Sequence, residues 1–185
     1  MIKRETERLV LRNFTPDDWE AMLELSQQYE QTDMAQYDQQ FPQTVEGMKE
    51  AVVWLSSGDS FAAVVLKSNQ KMIGLVQFQR KEKFTSEVVH GFGYIFNSDY
   101  HGKGYATEAC RNVLVYLFDE LKIDKCIAGT AAVNTSSRKL LERLGFKKVN
   151  QKTAHFREDS DGNPIEFQTT EYALTAADWK AVNNQ

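Results

Sequence analysis

The chain has 185 residues and a net charge of −4, and at about 150 residues per domain this reads as a single domain spanning 1–185. Hydrophobic residues make up 42% and charged residues 26%, ordinary usage for a packed domain, which excludes collagen-like and Pro/Gly-rich disordered chains. No apolar run approaches the roughly 18–20 residues that span a bilayer, and Met1-Ile2-Lys3-Arg4-Glu5 shows no leader pattern.

In chain order, Leu9 and Leu11 alternate with Arg8, Val10 and Arg12, which predicts an opening strand. Thr15-Pro16-Asp17-Asp18 supplies a helix start with acids at the positive end of the dipole. Trp19, Met22, Leu23 and Ser26 follow at helical spacing, and 27–43, with seven glutamines, reads as a polar loop or broken helix. Thr44 begins a second helix with Met48, Val52 and Leu55 on one face, ending at Gly58. Phe61–Leu66 and Met72–Phe78 form a hairpin, and 88–96 forms a further strand. A helix from Gly104 carries an apolar stripe through Leu121; a strand at 125–130 and a helix from Asn134 to Leu144, stopped by Gly145, come next. A long hairpin, 146–157 and 165–174, turns at Asp161-Gly162-Asn163-Pro164, with a bulge expected near Thr169-Thr170. Thr175 caps a last short helix.

Two unevennesses stand out. Six of the ten glycines lie between residues 91 and 145, well above a share proportional to length. Residues 13–48 hold eight acids and no Lys or Arg, whereas 134–157 holds seven basic residues against Glu142 alone. The expectation is an acidic side and a basic side, a solvated surface being the usual reason for such runs. Cys110 and Cys126 fit no disulfide framework or metal spacing, so reduced core cysteines, no metal and a cytoplasmic setting are expected. The low pI, about 5.5, and the lack of a recognised module argue against nucleic-acid binding.

The chemistry centres on Tyr100-His101-Gly102-Lys103-Gly104-Tyr105-Ala106-Thr107-Glu108, which joins a strand to a helix. A helix N-terminus preceded by glycines suits a phosphate. A Walker A loop fails, because Asn97 and Gly104 stand where glycine and Ser/Thr are needed; a dinucleotide fingerprint fails at Thr107. His101-x-x-Gly104-x-Ala106 instead resembles the acetyl-coenzyme A loop of GNAT-superfamily N-acetyltransferases, and the longer string is similar to the RimJ/RimL type. Thr6–Arg12, Asn134-x-x-Ser137 with Leu144-Gly145-Phe146, and Glu171–Leu174 match that type in order.

The resemblance implies an α/β fold: a mixed, mostly antiparallel sheet of about seven strands flanked by helices, with a parallel, splayed central pair. It implies acetyl-coenzyme A as cosubstrate, with pantetheine bonded near Ile95 and Phe96. The pyrophosphate would be held by N–H groups within His101, Gly102, Lys103, Gly104, Tyr105, Ala106 and Thr107, and the cofactor arm seated by Asn134 beside Ser137. Arg138, Lys139, Arg143, Lys147 and Lys148 could attract the phosphates, or form an exposed helix face.

The reaction implied is direct attack by a neutral amine without an acyl-enzyme. A lysine-like amine has pKa about 10.4, so a base, or a desolvated site, must help remove a proton. Strand N–H groups would stabilise the oxyanion. Leu141 stands where many members carry a tyrosine acid, which leaves Ser137 to protonate or hydrogen-bond the thiolate. Gly91 stands where the type often has an acid. His90 is the adjacent candidate base, although a lone histidine there is more often a hydrogen-bonded structural residue, and Glu87 and His155 rank below it. Glu108 is expected to be structural. The acidic 13–48 segment, which the family uses for the acceptor, predicts a cationic acceptor: a polyamine, an aminoglycoside-like amine or a protein N-terminus. A non-catalytic acyl-coenzyme A-binding module is the alternative, and either a monomer or a homodimer accommodates these expectations.

Overall fold

The computed structural model describes residues 2–81 and 86–183. β1 (Lys3–Glu5) and β2 (Leu9–Arg12) form an antiparallel pair, with Leu9 and Leu11 fully buried as their alternation predicts. Pro16–Asp18 makes a tight 3-10 turn into α1 (Trp19–Glu30); the Asp18 carboxylate accepts from the Thr15 N–H at 2.8 Å and is gripped at both oxygens by Arg12. The helix runs four residues into the glutamine-rich stretch, which then forms another 3-10 turn at Ala35–Tyr37.

α2 (Val45–Ser56) is capped by the Thr44 hydroxyl, which accepts from the Gly47 N–H at 3.2 Å. Its Met48, Val52 and Leu55 join Met22 of α1 in a core against one face of β3 (Phe61–Leu66) and β4 (Met72–Gln77). The strands that follow are β5 (Arg80–Lys81), β6 (Val89–Gly91) and β7 (Gly93–Phe96).

α3 (Tyr105–Val115) lies on the other face, and its last turn widens into a π-helical segment at Tyr116–Glu120 that buries both Leu117 and Phe118. β8 (Lys125–Ala131), α4 (Thr135–Arg143), β9 (Lys147–Ala154), β10 (Phe167–Thr175) and α5 (Ala176–Asn183) complete the order. Thr175 caps α5 as expected, its hydroxyl accepting from the Asp178 N–H at 3.1 Å.

Two five-stranded sheets result, β1-β2-β3-β4-β7 and β5-β6-β8-β10-β9. The seven expected strands are all present, and short β1 and β5 are additional. The predicted strand 88–96 is shared: β6 runs parallel to β8, whereas β7 pairs antiparallel with β4. The last rung between the parallel strands is Phe92 N–H to the Ile127 carbonyl, 2.8 Å. Beyond it the strands diverge into a fork. The bulge expected near Thr169-Thr170 lies between Glu171 and Tyr172, where the partner strand passes from Asn150 to Lys148 and Val149 is the extra residue. Residue parity in β10 alone does not reveal which strand carries the insertion.

Candidate active site

Side-chain alternation divides the fork into two faces. Phe92, Tyr94 and Phe96 turn towards the core containing α3 and α4, while Ile95 packs with the α1–α2 core. Backbone groups alternate as well. Asn97 N–H donates to the Ile73 carbonyl, so residues 93, 95 and 97 bond towards β4 and residues 94 and 96 face the fork. This corrects the expectation for Ile95, whose carbonyl lies beside Gly74 in β4. The fork-side groups belong to Tyr94 and Phe96, and the Phe96 carbonyl accepts from the His101 ring Nε2 at 3.0 Å.

That bond anchors the loop expected to hold phosphate. Gly102 and Gly104 both have left-handed backbones, φ +73° and +81°, a region costly for residues with a Cβ. Gly104 is the N-cap of α3, and the first helical bond is Glu108 N–H to the Gly104 carbonyl. The preceding N–H groups, through Thr107, have no acceptor within the helix. His101 to Gly104 are exposed. An anion is the natural partner for this arrangement.

Arg8 stabilises the loop from below: its Nη1 donates to the Lys103 carbonyl at 2.9 Å and its guanidinium stacks 4.4 Å from the Tyr105 ring centre. Glu108 holds Arg8 in turn, accepting from its Nε, its backbone N–H and the Thr6 hydroxyl. The structural role expected for Glu108 follows from this clasp. Burial pushes its carboxyl up, but the Thr6 and Arg8 donors outweigh this and hold it below its ordinary value.

Across the fork, Asn134 caps α4 by accepting from the Ser137 N–H at 3.0 Å. The Ser137 hydroxyl meets the Tyr94 phenol at 3.0 Å, and that phenol also lies 3.1 Å from the Ser137 carbonyl. Tyr94 was not among the candidate site residues, although its shared face with Phe92 and Phe96 already aimed it at α4. Burial pushes its pKa upwards, so it stays a protonated phenol at neutral pH.

His90 makes the kind of hydrogen bond expected of a structural histidine. Its Nδ1 donates to the buried Phe78 carbonyl at 2.6 Å, tying β6 to the end of β4. A carbonyl can only accept, so this ring nitrogen carries its proton and is committed to the backbone. Glu87 pairs with Lys125, and His155 is exposed. The basic stretch also divides: Arg143 reaches Thr107 beside the loop at 3.3 Å, whereas Arg138 bonds the Ala132 carbonyl and Lys147 bonds Asp178.

A long-range contact joins the α1–α2 connection to the terminal hairpin. Arg157 donates to both Glu30 oxygens at 2.7 and 2.8 Å, and its Nε donates to the Asp38 carbonyl at 2.7 Å. Tyr37 and Phe167 pack beside this junction with ring centres 5.1 Å apart. Separated by 127 residues, Glu30 and Arg157 carry no local sequence signal of their pairing.

A strand fork facing an anion-binding helix start is the architecture of an acyl-coenzyme A-dependent acyltransferase. Residues 8–147 match the family described as acetyltransferase (GNAT) domain. The chain belongs to that family and is an acetyl-coenzyme A-dependent N-acetyltransferase. It is 30% identical over 147 residues to the uncharacterised N-acetyltransferase YnaD of Bacillus subtilis, covering 77% of this chain and 81% of that one. Among solved structures, a GNAT-family acetyltransferase from Bacillus anthracis aligns with a TM-score of 0.78 at 27% identity, over 95% of this chain and 99% of the other. A ribosomal-protein-S5-alanine acetyltransferase from Vibrio fischeri shares the fold, with a TM-score of 0.78 at 21% identity over 97% and 99% of the two chains. Among the described residues, no helix is long and apolar enough to cross a membrane.

Proposed function

We propose that this chain works as one domain that transfers the acetyl group of acetyl-coenzyme A to a cationic amine acceptor by direct attack. The observation that carries the reading is the fork between β7 and β8 with Tyr94 and Ser137 at its side. Acetyl-coenzyme A supplies an activated thioester; the residues described above bind it, orient it and manage protons. The pyrophosphate is held by the N–H groups at the start of α3, helped by Arg143, and the pantetheine arm bonds the fork-side groups of Tyr94 and Phe96. Asn134 fixes the first turn of α4 so that the Ser137 hydroxyl is aimed at the departing sulfur.

In this mechanism the neutral amine attacks the carbonyl carbon. A carbon–nitrogen bond forms, the carbon–sulfur bond breaks, and the departing thiolate accepts a hydrogen bond from the Ser137 hydroxyl and takes its proton from water. The Phe78 carbonyl holds the Nδ1–H of His90, which leaves Nε2 as the basic nitrogen of that ring. Desolvation in the fork lowers the amine's pKa, and water takes the proton that the amine gives up.

The cationic acceptor, whether polyamine, aminoglycoside-like amine or protein N-terminus, is supported by the acid surplus of 13–48. Asp18, Glu24 and Glu30 in that segment are engaged by Arg12, Lys71 and Arg157 from outside it, which leaves a net negative side around the α1–α2 connection. The test is coenzyme A thiol release over an amine panel. Turnover of cationic amines supports the reading, and preference for anionic amino acids overturns the acceptor class. Thermal stabilisation by acetyl-coenzyme A without turnover of any amine is the signature of a binding module.

A further inference from the structure

On the face of the fork away from α3 and α4 lies a cavity of about 410 Å³. Phe92 and Ile127 line its inner end, the two residues whose backbone bond is the last rung before the strands part. Gly129 leaves bare backbone in the cavity wall where another residue would project a side chain, and Gly91 leaves the room that the Lys81 side chain occupies. A Cβ at Gly129 would meet only the Thr169 hydroxyl, at 3.7 Å, so the backbone there does not require glycine for packing. The open space itself is what the glycine leaves.

Directly across from Gly129 on β10 stands Glu171, the carboxylate among the described residues lining this cavity. Its position is fixed. Asn150 Nδ2 donates to one oxygen at 3.0 Å and Lys152 Nζ pairs with the other at 2.6 Å. The register slip beside it turns the strand locally, a device that recurs next to active sites. Lys81 lines the cavity too, lying across Gly91, so the cavity has a cationic rim as well as the carboxylate.

Two roles are open to such a carboxylate. The Lys152 and Asn150 hydrogen bonds hold it below the ordinary Glu range, far under the roughly 10.4 of an alkylammonium, which makes it a poor proton acceptor. A carboxylate also favours the charged form of any amine beside it, and the attacking nitrogen must be uncharged. A second cationic group is the better match. Gly129 lies two residues past Ile127, about 7 Å along the strand, so that group sits a short alkyl spacer from the fork.

We propose that this cavity is the acceptor site and that Glu171 selects primary amines carrying a second cationic group, held a short spacer away from the reacting nitrogen. The inference rests on the acetyl-transfer reading of the fork. It is tested by calorimetric titration of 1,4-diaminobutane and n-butylamine into the coenzyme A-saturated protein. The diamine binds at least about tenfold tighter to the native chain, which is about 1.4 kcal/mol. Glu171→Gln removes the difference, and Lys152→Gln, which frees the carboxylate of its lysine, widens it. No diamine preference in the native chain, or a preference that survives Glu171→Gln, overturns the inference. Thiol release is read separately: release without diamine preference sinks the Glu171 assignment alone, and a Glu171-dependent preference without release sinks the transfer reading.

Discussion

The Tyr94 phenol lies 3.0 Å from the Ser137 hydroxyl, joining a strand on one side of the fork to the first turn of the helix on the other. Leu141, where a tyrosine acid was looked for, is buried instead. The phenol thus reaches this region from the opposite wall.

If Tyr94 and Ser137 act as a unit on the leaving thiolate, Ser137→Ala lowers kcat by roughly 10- to 100-fold and leaves KM for acetyl-coenzyme A unchanged. Tyr94→Phe has a smaller effect, because the serine hydroxyl remains. The double variant is no worse than Ser137→Ala alone, since coupled residues are not additive. Steady-state kinetics on the three variants checks this, and additive losses would show that the two side chains act independently.

The loop glycines differ in what surrounds them. Gly102→Ala meets nothing within 4 Å, so its cost is the left-handed backbone, about 1–2 kcal/mol. Gly104→Ala carries that cost and also sets a Cβ 3.3 Å from an Arg8 guanidinium nitrogen. Calorimetric coenzyme A affinity falls in both, and further for Gly104→Ala. Equal losses would mean that Arg8 yields without consequence.

Of the basic stretch, Arg143 reaches Thr107 beside the loop. Arg143→Gln weakens coenzyme A binding by about two- to fivefold, the scale of an exposed charge pair, with a reduced salt dependence. Arg138→Gln and Lys147→Gln, whose charges are turned to the Ala132 carbonyl and Asp178, leave the affinity unchanged. Titrations at two ionic strengths decide the matter.

Arg157 fastens the hairpin to α1, and Arg157→Gln costs about 1–3 kcal/mol in urea unfolding, the range for losing hydrogen bonds to charged partners. The Arg157 hydrogen bonds hold the Glu30 carboxyl below its usual value. A depressed folded pKa gives stability that is present above the unfolded value, about 4.3, and is lost as pH falls through the folded one. The native chain therefore loses stability on acidification below that point, and Arg157→Gln loses less. Asp38, raised chiefly by burial, works in the opposite sense: its penalty is relieved as pH falls through its folded pKa. An unchanged acid limb in the variant would assign the slope to other carboxylates.

Much of this protein was legible in order along the chain. Turn residues and apolar spacing located the helices, and the Gly102–Gly104 pair marked the phosphate-binding turn, because those signals act over a few residues. Less legible was anything that depends on which element lies opposite. A structural role for His90 could be suspected, but its partner, the Phe78 carbonyl twelve residues earlier that accepts from Nδ1, could not be read from the sequence. The 13–48 acids read as open charge until Arg12, Lys71 and Arg157 engaged three of them.

The glycine excess between 91 and 145 shows where the division falls. Local sequence determined the left-handed turns at Gly102, Gly104 and Gly145, since backbone sterics act within a residue and its neighbours. Only the tertiary structure decided what Gly91 and Gly129 are for. The opening of one strand between two sheets brings both glycines to a shared cavity lined by Glu171, and register between distant strands is set by packing across the whole domain.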